Sequence, residues 1–306
     1  MIMENKLQSI GIRCPEYVYH SKAMQHIRSV LSKRGKEVFF YDSNKAHKKV
    51  DYFSPLYQHE HVIVWRYFHS NHQNYTLGNN NVLFIDKSVV DPENSLFVDS
   101  LGFGGFSSVV VKKQNVQDVN NSKQVNVNKY LNDKYGLYVG NNKNGHILVS
   151  LFMDLNAIHA CHEMLPDNKE VFFTYPPSMK NKYIQSINMY IKKHDNWKIL
   201  DQNADIYDYI IKSRAIVTNL DNIAFLGLVR GIPTATLGRG LWSGTSCTLD
   251  CTKNPRLLKT ILAFEFDHAA TDKYLSAVYS KNLDLNCDFS YIENNIDIKS
   301  WFSKIK

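Results

Sequence analysis

Two aspartates in the first third of the chain, Asp86 and Asp99, stand beside a glycine-rich run, Gly102-Phe-Gly-Gly-Phe-Ser107. Paired carboxylates can divide the work of a group transfer. One accepts a proton or attacks, and the other steadies positive charge on the reacting carbon. A second set of polar residues lies further on: Asp154, the run Thr174-Tyr-Pro-Pro-Ser178, the run Thr218-Asn-Leu-Asp-Asn222, and the run Gly238-Arg-Gly-Leu-Trp-Ser-Gly-Thr245. Each follows a short apolar segment. Glycines, small hydroxyls and helix N-termini at such places suit a nucleotide and its phosphate. The residues expected to hold that ligand are Asp154, Tyr175, Ser178, Asn219, Asp221, Asn222, Gly238, Arg239, Gly240, Ser243 and Thr245. Asp221 fits less simply. A carboxylate heading a helix repels a phosphate at close range, so Asp221 serves either the helix alone or the hydroxyls of a sugar or ribose. The phosphate then rests on the 238–245 loop and Arg239.

Histidines cluster as His59-Glu-His61, as His69 and His72, and as His159 and His162 before Glu163. Metal ligation needs three or four ligands at matched spacing. None of these groups matches a zinc motif, and Cys247 with Cys251 has no second pair, so no metal is expected. Five scattered cysteines, an odd number, read as reduced thiols. His59, His61 and Arg66 are expected to line a groove for a second substrate, together with Phe106, Ser107 and Trp242. The two aromatics sit on glycine-rich loops and offer faces on which sugar rings stack.

These residues need strands to position them. Segment 9–13 is a short strand candidate and 38–41 a second, buried one, while 62–65 and 82–85 are short apolar runs of the length of a strand buried on both faces. Between the first two, Ala23, Ile27, Val30 and Leu31 recur at helical spacing ahead of Gly35. The order strand–helix–strand opens a parallel α/β layer. Residues 112–145, rich in Asn, Lys, Gln and Val, read as an inter-domain connection. From His146 the rhythm restarts, with strands at 147–152, 171–173, 215–218 and 234–237. Ser178 and Asp221 are expected to cap helices, Gly231 to end one, and Pro255 to open one. The chain thus divides into an acceptor-side domain, 1–140, and a nucleotide-binding domain, 141–306, both Rossmann-like, facing a central cleft.

The stretch from Ile216 to Gly238, Ile-Val-Thr-Asn-Leu-Asp-Asn-Ile-Ala-Phe-Leu-Gly-Leu-Val-Arg-Gly-Ile-Pro-Thr-Ala-Thr-Leu-Gly, resembles the strand–helix–strand segment of capsule-polysaccharide-type glycosyltransferases. These are the bacterial 3-deoxy-manno-octulosonate (Kdo) transferases and their relatives, which have a two-Rossmann GT-B fold. The family carries Asn-Ser before this helix, Phe-Glu-Ala-Leu inside it and Gly-Lys-Pro after it. Residues 147–158 with Asp154 are similar to its strand opening the C-terminal domain, and 171–178 to its Lys-Pro-His-Pro element. In the first half, 83–92 through Asp99 and 102–107 resembles its Glu-Glu-Gly, Arg-Pro, Leu-Glu and Gly-Asn-Gly-Tyr-Ser succession. The resemblance implies transfer of a sugar from a nucleotide-sugar donor on the second domain to an acceptor on the first, with Asp86 and Asp99 as catalytic carboxylates and no metal or other cofactor. Tyr175 stands where the family keeps histidine, Asp221 where it keeps serine and Leu226 where it keeps glutamate. Those positions are associated with the donor nucleotide, so the donor is CMP-Kdo, a related CMP-sugar or another nucleotide-sugar.

With 306 residues, 44% of them hydrophobic and 21% charged, the chain has the balance of a protein that buries cores, which excludes disorder, collagen and coiled coil. No apolar run approaches the roughly 20 residues that span a bilayer. Residues 1–6 show no secretory signal, and a cytoplasmic protein working at the inner face of the membrane is expected. Lys and Arg total 36 against 29 Asp and Glu, a net charge of +7. That excess favours anionic partners: nucleotides, a glycan or glycolipid acceptor, or a membrane surface touched peripherally. Two alternatives keep the fold. One glycosylates modified DNA bases, with Lys45, Lys48, Lys49, Lys112 and Lys113 on backbone phosphates. The other binds sugar or nucleotide without turnover.

Overall fold

A computed structural model describes residues 7–43, 56, 58–65, 81–99, 121–138, 142–201, 203–238, 240–265, 267–287, 292 and 295–305. The chain forms two compact units, one of Met1–Ser108 with Tyr279–Lys306 and one of Val109–Val278. Among the described residues each is built on a sheet of six strands. The α/β class and the pair of Rossmann-like layers match the expectation. The division differs from a single boundary at residue 140, because residues 121–135 pack into the second unit and the chain from Tyr279 returns to the first.

In the first unit, β1 (Leu7–Cys14), β2 (Val38–Asp42), β3 (His59–Trp65) and β4 (Asn81–Lys87) run parallel, and β5 (Ser95–Asp99) turns back antiparallel to β4. A strand from the far end of the chain, Asn282–Asp284, pairs antiparallel with β5. The order across the sheet is therefore Asn282–Asp284, β5, β4, β3, β1, β2. After β1 comes a single turn, α1 (Glu16–Tyr19), and then α2 (Lys22–Lys33), whose first turn is capped by the Ser21 hydroxyl accepting the Met24 N–H. Its apolar stripe, Ala23, Met24, Ile27 and Leu31, packs on Ile10, Ile12, Ile63 and Ile85 of the sheet.

The C-terminal helix Ile296–Ser303 adds Ile298, Trp301 and Phe302 to the same core. Its position is locked reciprocally: the Trp301 indole N–H donates to the Asn81 carbonyl, and the Asn81 amide donates to the Trp301 carbonyl, each at 3.0 Å. Arg34 at the end of α2 donates to the Phe302 carbonyl at 2.6 Å. These contacts, with the Asn282–Asp284 strand, draw the chain end into the first unit.

In the second unit all six strands are parallel: β6 (His146–Ser150), β7 (Val171–Thr174), β8 (Trp197–Ile199), β9 (Ser213–Thr218), β10 (Thr234–Thr236) and β11 (Leu249–Asp250). Across the sheet they lie β11-β10-β9-β6-β7-β8. The chain builds outward from β6 in one direction, returns to β9, and builds outward in the other. The helices are α3 (Asn121–Tyr135), α4 (Leu155–Met164), α5 (Asn181–Ile191), α6 (Ile206–Lys212), α7 (Asp221–Arg230) and α8 (His268–Tyr279), with a 3-10 helix over Pro255–Ala263.

Residues 112–145 are thus not merely a connection. Within them α3 packs on α7, with Tyr135 edge-on to Phe225 and its carbonyl accepting from Tyr207 and Arg230. Pro255 opens a 3-10 helix, and Gly231 ends α7 in the left-handed conformation, as its position suggests. Ser178 caps nothing: α5 starts later, after Lys180, without a side-chain cap. No helix among the described residues is long and apolar enough to cross a membrane.

The first unit buries a charged trio. The Lys281 ammonium lies 2.5 Å from Asp297 and 3.6 Å from Asp99, and all three side chains are nearly inaccessible. Removing the shared cation leaves two carboxylates facing each other out of water. Lys281→Met is therefore expected to lower unfolding free energy by about 3–5 kcal/mol, read by urea denaturation. A loss below about 1 kcal/mol would contradict the burial.

Candidate functional site

In an open parallel sheet the loops at the carboxyl ends of two neighbouring strands part where the chain order reverses, and ligands bind in the crevice left there. In the second unit that place lies between β6 and β9. Residues 151–154 leave β6, residues 219–221 leave β9, and the 237–245 loop leaves β10 beside them. The structure brings the expected donor residues Asp154, Asn219, Asp221, Asn222, Gly238, Gly240, Ser243 and Thr245 to this one edge, with Tyr175 and Ser178 following β7 at the same edge.

Their hydrogen bonds show what each does. The Asn219 carboxamide oxygen accepts the Phe152 N–H at 2.8 Å, and its NH2 donates to the Phe152 carbonyl at 3.0 Å. Asp154 caps α4 by accepting the Ala157 N–H at 3.0 Å. The Thr218 hydroxyl accepts the Leu220 N–H at 2.9 Å. Asp221 is not the N-cap of α7. Leu220 holds that position without a side-chain cap, and Asp221 is the first helical residue. Its carboxylate turns sideways to accept the Leu241 N–H at 2.7 Å, and its carbonyl accepts the Trp242 indole N–H at 3.0 Å. Gly240 is required here, because a Cβ would lie 2.4 Å from the Asp221 carboxylate oxygen. Asp221 thus anchors the 238–245 loop, and the backbone N–H groups that open α7 lie at the same edge.

Within the loop, the Ser243 hydroxyl accepts from the Gly240 N–H and donates to the Gly238 carbonyl, and Thr245 donates to the Trp242 carbonyl. These hydroxyls build the loop. Trp242, expected as a stacking platform, is 1% exposed and packs against Phe225 and Tyr274. Its ring is core, because the indole N–H has found a partner inward and the face is covered.

In the first unit Asp86 ends β4 at the carboxyl edge of the parallel strands, half-buried, accepting the Lys87 N–H at 2.6 Å. Asp99 does not join it. Because β5 is antiparallel, Asp99 lies opposite Phe84 and the strand exits toward the other edge. At 0% exposure and bound to Lys281, Asp99 is a structural acid.

The two histidines are also corrected. His59 is buried at the start of β3, bonded to Ser9 at 2.7 Å and Tyr41 at 2.8 Å, with its ring in the space a Gly11 side chain would fill. His61 is buried on the same strand beside Glu60. Both lie at the amino end of β3, away from the carboxyl edge, so neither lines a groove there. Arg66, Phe106, Ser107 and Arg239 lie outside the described residues, as do residues 102–105, His69, His72 and the lysines at 45, 48, 49, 112 and 113.

One residue was missed. Tyr17 follows β1 at the first unit's own reversal point, between β1 and β3. It is 53% exposed, and Trp65, ending β3, meets it edge-on at 6.3 Å. Its signal was its place in the first strand–helix turn.

Among the described residues no group of three or more His, Cys, Asp or Glu is arranged to hold a metal. His162 Nδ1 and His194 Nε2 share one hydrogen bond at 2.8 Å, shorter than two nitrogens about 2.0–2.1 Å from one zinc would stand. All five cysteines are buried, and burial pushes the Cys14 thiol up to about 12. Burial is also the first cause that lowers His59, His61, His146 and His162 below the ordinary imidazole value. The unfolded chain then takes up these protons first as pH falls. The stability they confer is present above about pH 6.5 and is lost as pH drops through the folded values. The urea midpoint is expected to fall between pH 7.5 and pH 5, and His59→Gln to flatten that dependence; a midpoint unchanged over this range would contradict the burial.

No family model matches the sequence, and no curated protein sequence matches it. Solved structures do. The chain is similar over 97% of its length to 98% of Thermosulfurimonas dismutans KpsC, beta Kdo 2,7 transferase, with a TM-score of 0.55 at 13% identity. It is similar over 88% of its length to 90% of Thermosulfurimonas dismutans KpsC, beta Kdo 2,4 transferase, with a TM-score of 0.51 at 13% identity. A looser likeness, TM-score 0.40 at 9% identity, covers 89% of the chain and 98% of the UDP-GlcNAc 2-epimerase from Neisseria meningitidis. At these identities what is shared is the fold, two α/β units, one on a mixed and one on a parallel sheet.

Proposed function

We propose that the protein is a glycosyltransferase that moves a sugar from a nucleotide-sugar to a hydroxyl of a glycan or glycolipid. The observation that carries the reading is the reversal point of the second sheet, where three loops and the uncapped start of α7 converge. A nucleotide's phosphates suit that helix terminus, and ribose or sugar hydroxyls suit the side chains of Asp154 and Asn222. The fold shared with the KpsC beta Kdo transferases supports a donor of the CMP-Kdo kind or a related CMP-sugar. The net charge of +7 suits an anionic acceptor or its membrane surface. The nucleotide-sugar is a substrate, and the reading calls for no cofactor.

The acceptor oxygen forms a bond to the anomeric carbon, and the bond from that carbon to the donor phosphate breaks with its electron pair leaving on the phosphate. Asp86, the one nominated carboxylate at a carboxyl edge of the first sheet, takes the acceptor proton or steadies the developing cation. The α7 terminus offsets the charge on the departing phosphate.

The test is incubation with CMP-, UDP- and GDP-sugars, reading donor hydrolysis and transfer. Turnover of one donor class is expected. Asp86→Asn is expected to lower that turnover roughly 10²–10⁴-fold while nucleotide affinity changes little. Full activity in Asp86→Asn would remove Asp86 from the mechanism, and binding without turnover would leave a ligand-binding protein.

A further inference from the structure

Asn219 was expected to touch the donor, yet both ends of its carboxamide are engaged with one residue, Phe152, on the neighbouring loop. A side-chain amide that pairs with both the N–H and the C=O of a backbone residue imitates the ladder a further strand would provide. It does so where the sheet's own ladder stops, since β6 ends at Ser150 and β9 at Thr218.

The next residue is in an unusual state. Met153 has φ +45°, in the left-handed region that side-chain-bearing residues seldom adopt. Such backbone persists where surrounding structure over-determines it. Here the chain is held on both sides of Met153. Phe152 is gripped by Asn219, and Asp154 is committed as the N-cap of α4. The loop is thereby kept in a shape that a free chain would leave.

We infer that Asn219 is a positioning residue of the donor site: its carboxamide holds Met153 in the left-handed conformation and so keeps the 152–154 loop open to the nucleotide. The inference rests on the donor reading above. Asn219 acts through Phe152 and Met153 and makes no contact with the ligand itself. Asp221 does the corresponding work on the other side by holding Leu241.

The experiment is calorimetric titration of the full chain with free CMP, UDP and GDP, with thermal midpoints recorded for every variant. The wild type is expected to bind one of the three. Asn219→Ala, losing two hydrogen bonds, is expected to weaken that nucleotide about tenfold. A purely structural role would leave the tenfold loss unaltered by the backbone at 153. A positioning role couples the two sites, because glycine takes the left-handed conformation without help. In a Met153→Gly background, Asn219→Ala is therefore expected to cost less than about threefold, a non-additive double-mutant cycle. If Asn219→Ala does not fold, Asn219→Asp keeps the acceptor for the Phe152 N–H, loses the donor to its carbonyl, and takes its place in the cycle. Unchanged affinity in the Asn219 variant, or equal losses in both backgrounds, overturns this inference and leaves the donor reading standing. A wild type that binds none of the nucleotides overturns both.

Discussion

The second unit depends on how its sheet closes the gap at its own reversal point. Strands β6 and β9 are neighbours, but their connections leave in opposite directions, so no backbone crosses between them beyond the last ladder bond. Peptide groups in those loops still require partners. Residues 218–221 supply them, with Thr218 bonding the Leu220 N–H, Asn219 bonding both groups of Phe152, and Asp221 bonding the Leu241 N–H. One four-residue segment thus ties three loops together, with polar side chains standing in for the missing strand.

This arrangement changes the meaning of Asp221. A carboxylate pointing along the helix axis would compete with an anionic ligand. Directed onto Leu241, it gains an N–H partner and the favourable end of the helix dipole. The close approach that permits this is bought by Gly240, whose missing side chain leaves room for the carboxylate.

The first unit solves a different problem. Its sheet ends in two strands that pair antiparallel, β5 and Asn282–Asp284, and the contact encloses Lys281 between Asp99 and Asp297. Burying three charges is costly unless they satisfy one another. A slip of either strand would leave a carboxylate or an ammonium alone. Asp86, two residues from a well-buried strand centre but at the strand's end, escapes this fate and keeps access to solvent.

Much of the fold was legible because its signals are local. The runs at 38–41, 62–65, 82–85, 171–173, 215–218 and 234–237 each hold a strand, and those at 62–65, 82–85 and 215–218 are buried at every residue, as a strand covered on both faces must be. Gly231 and Pro255 marked ends for backbone reasons that need no neighbours. The gathering of 154, 219–222 and 238–245 at one edge was also readable, because strands that alternate with helices run parallel and send their following loops to one side. Tertiary structure alone decided the rest. The antiparallel turn of β5, the return of Asn282–Asp284 and the Asn81–Trp301 lock rest on partners far apart in sequence, which periodicity does not encode. The same holds for the roles of Asp99, His59 and Trp242. A residue type states what a side chain can do, but whether it meets solvent or a buried partner is settled only when distant segments pack.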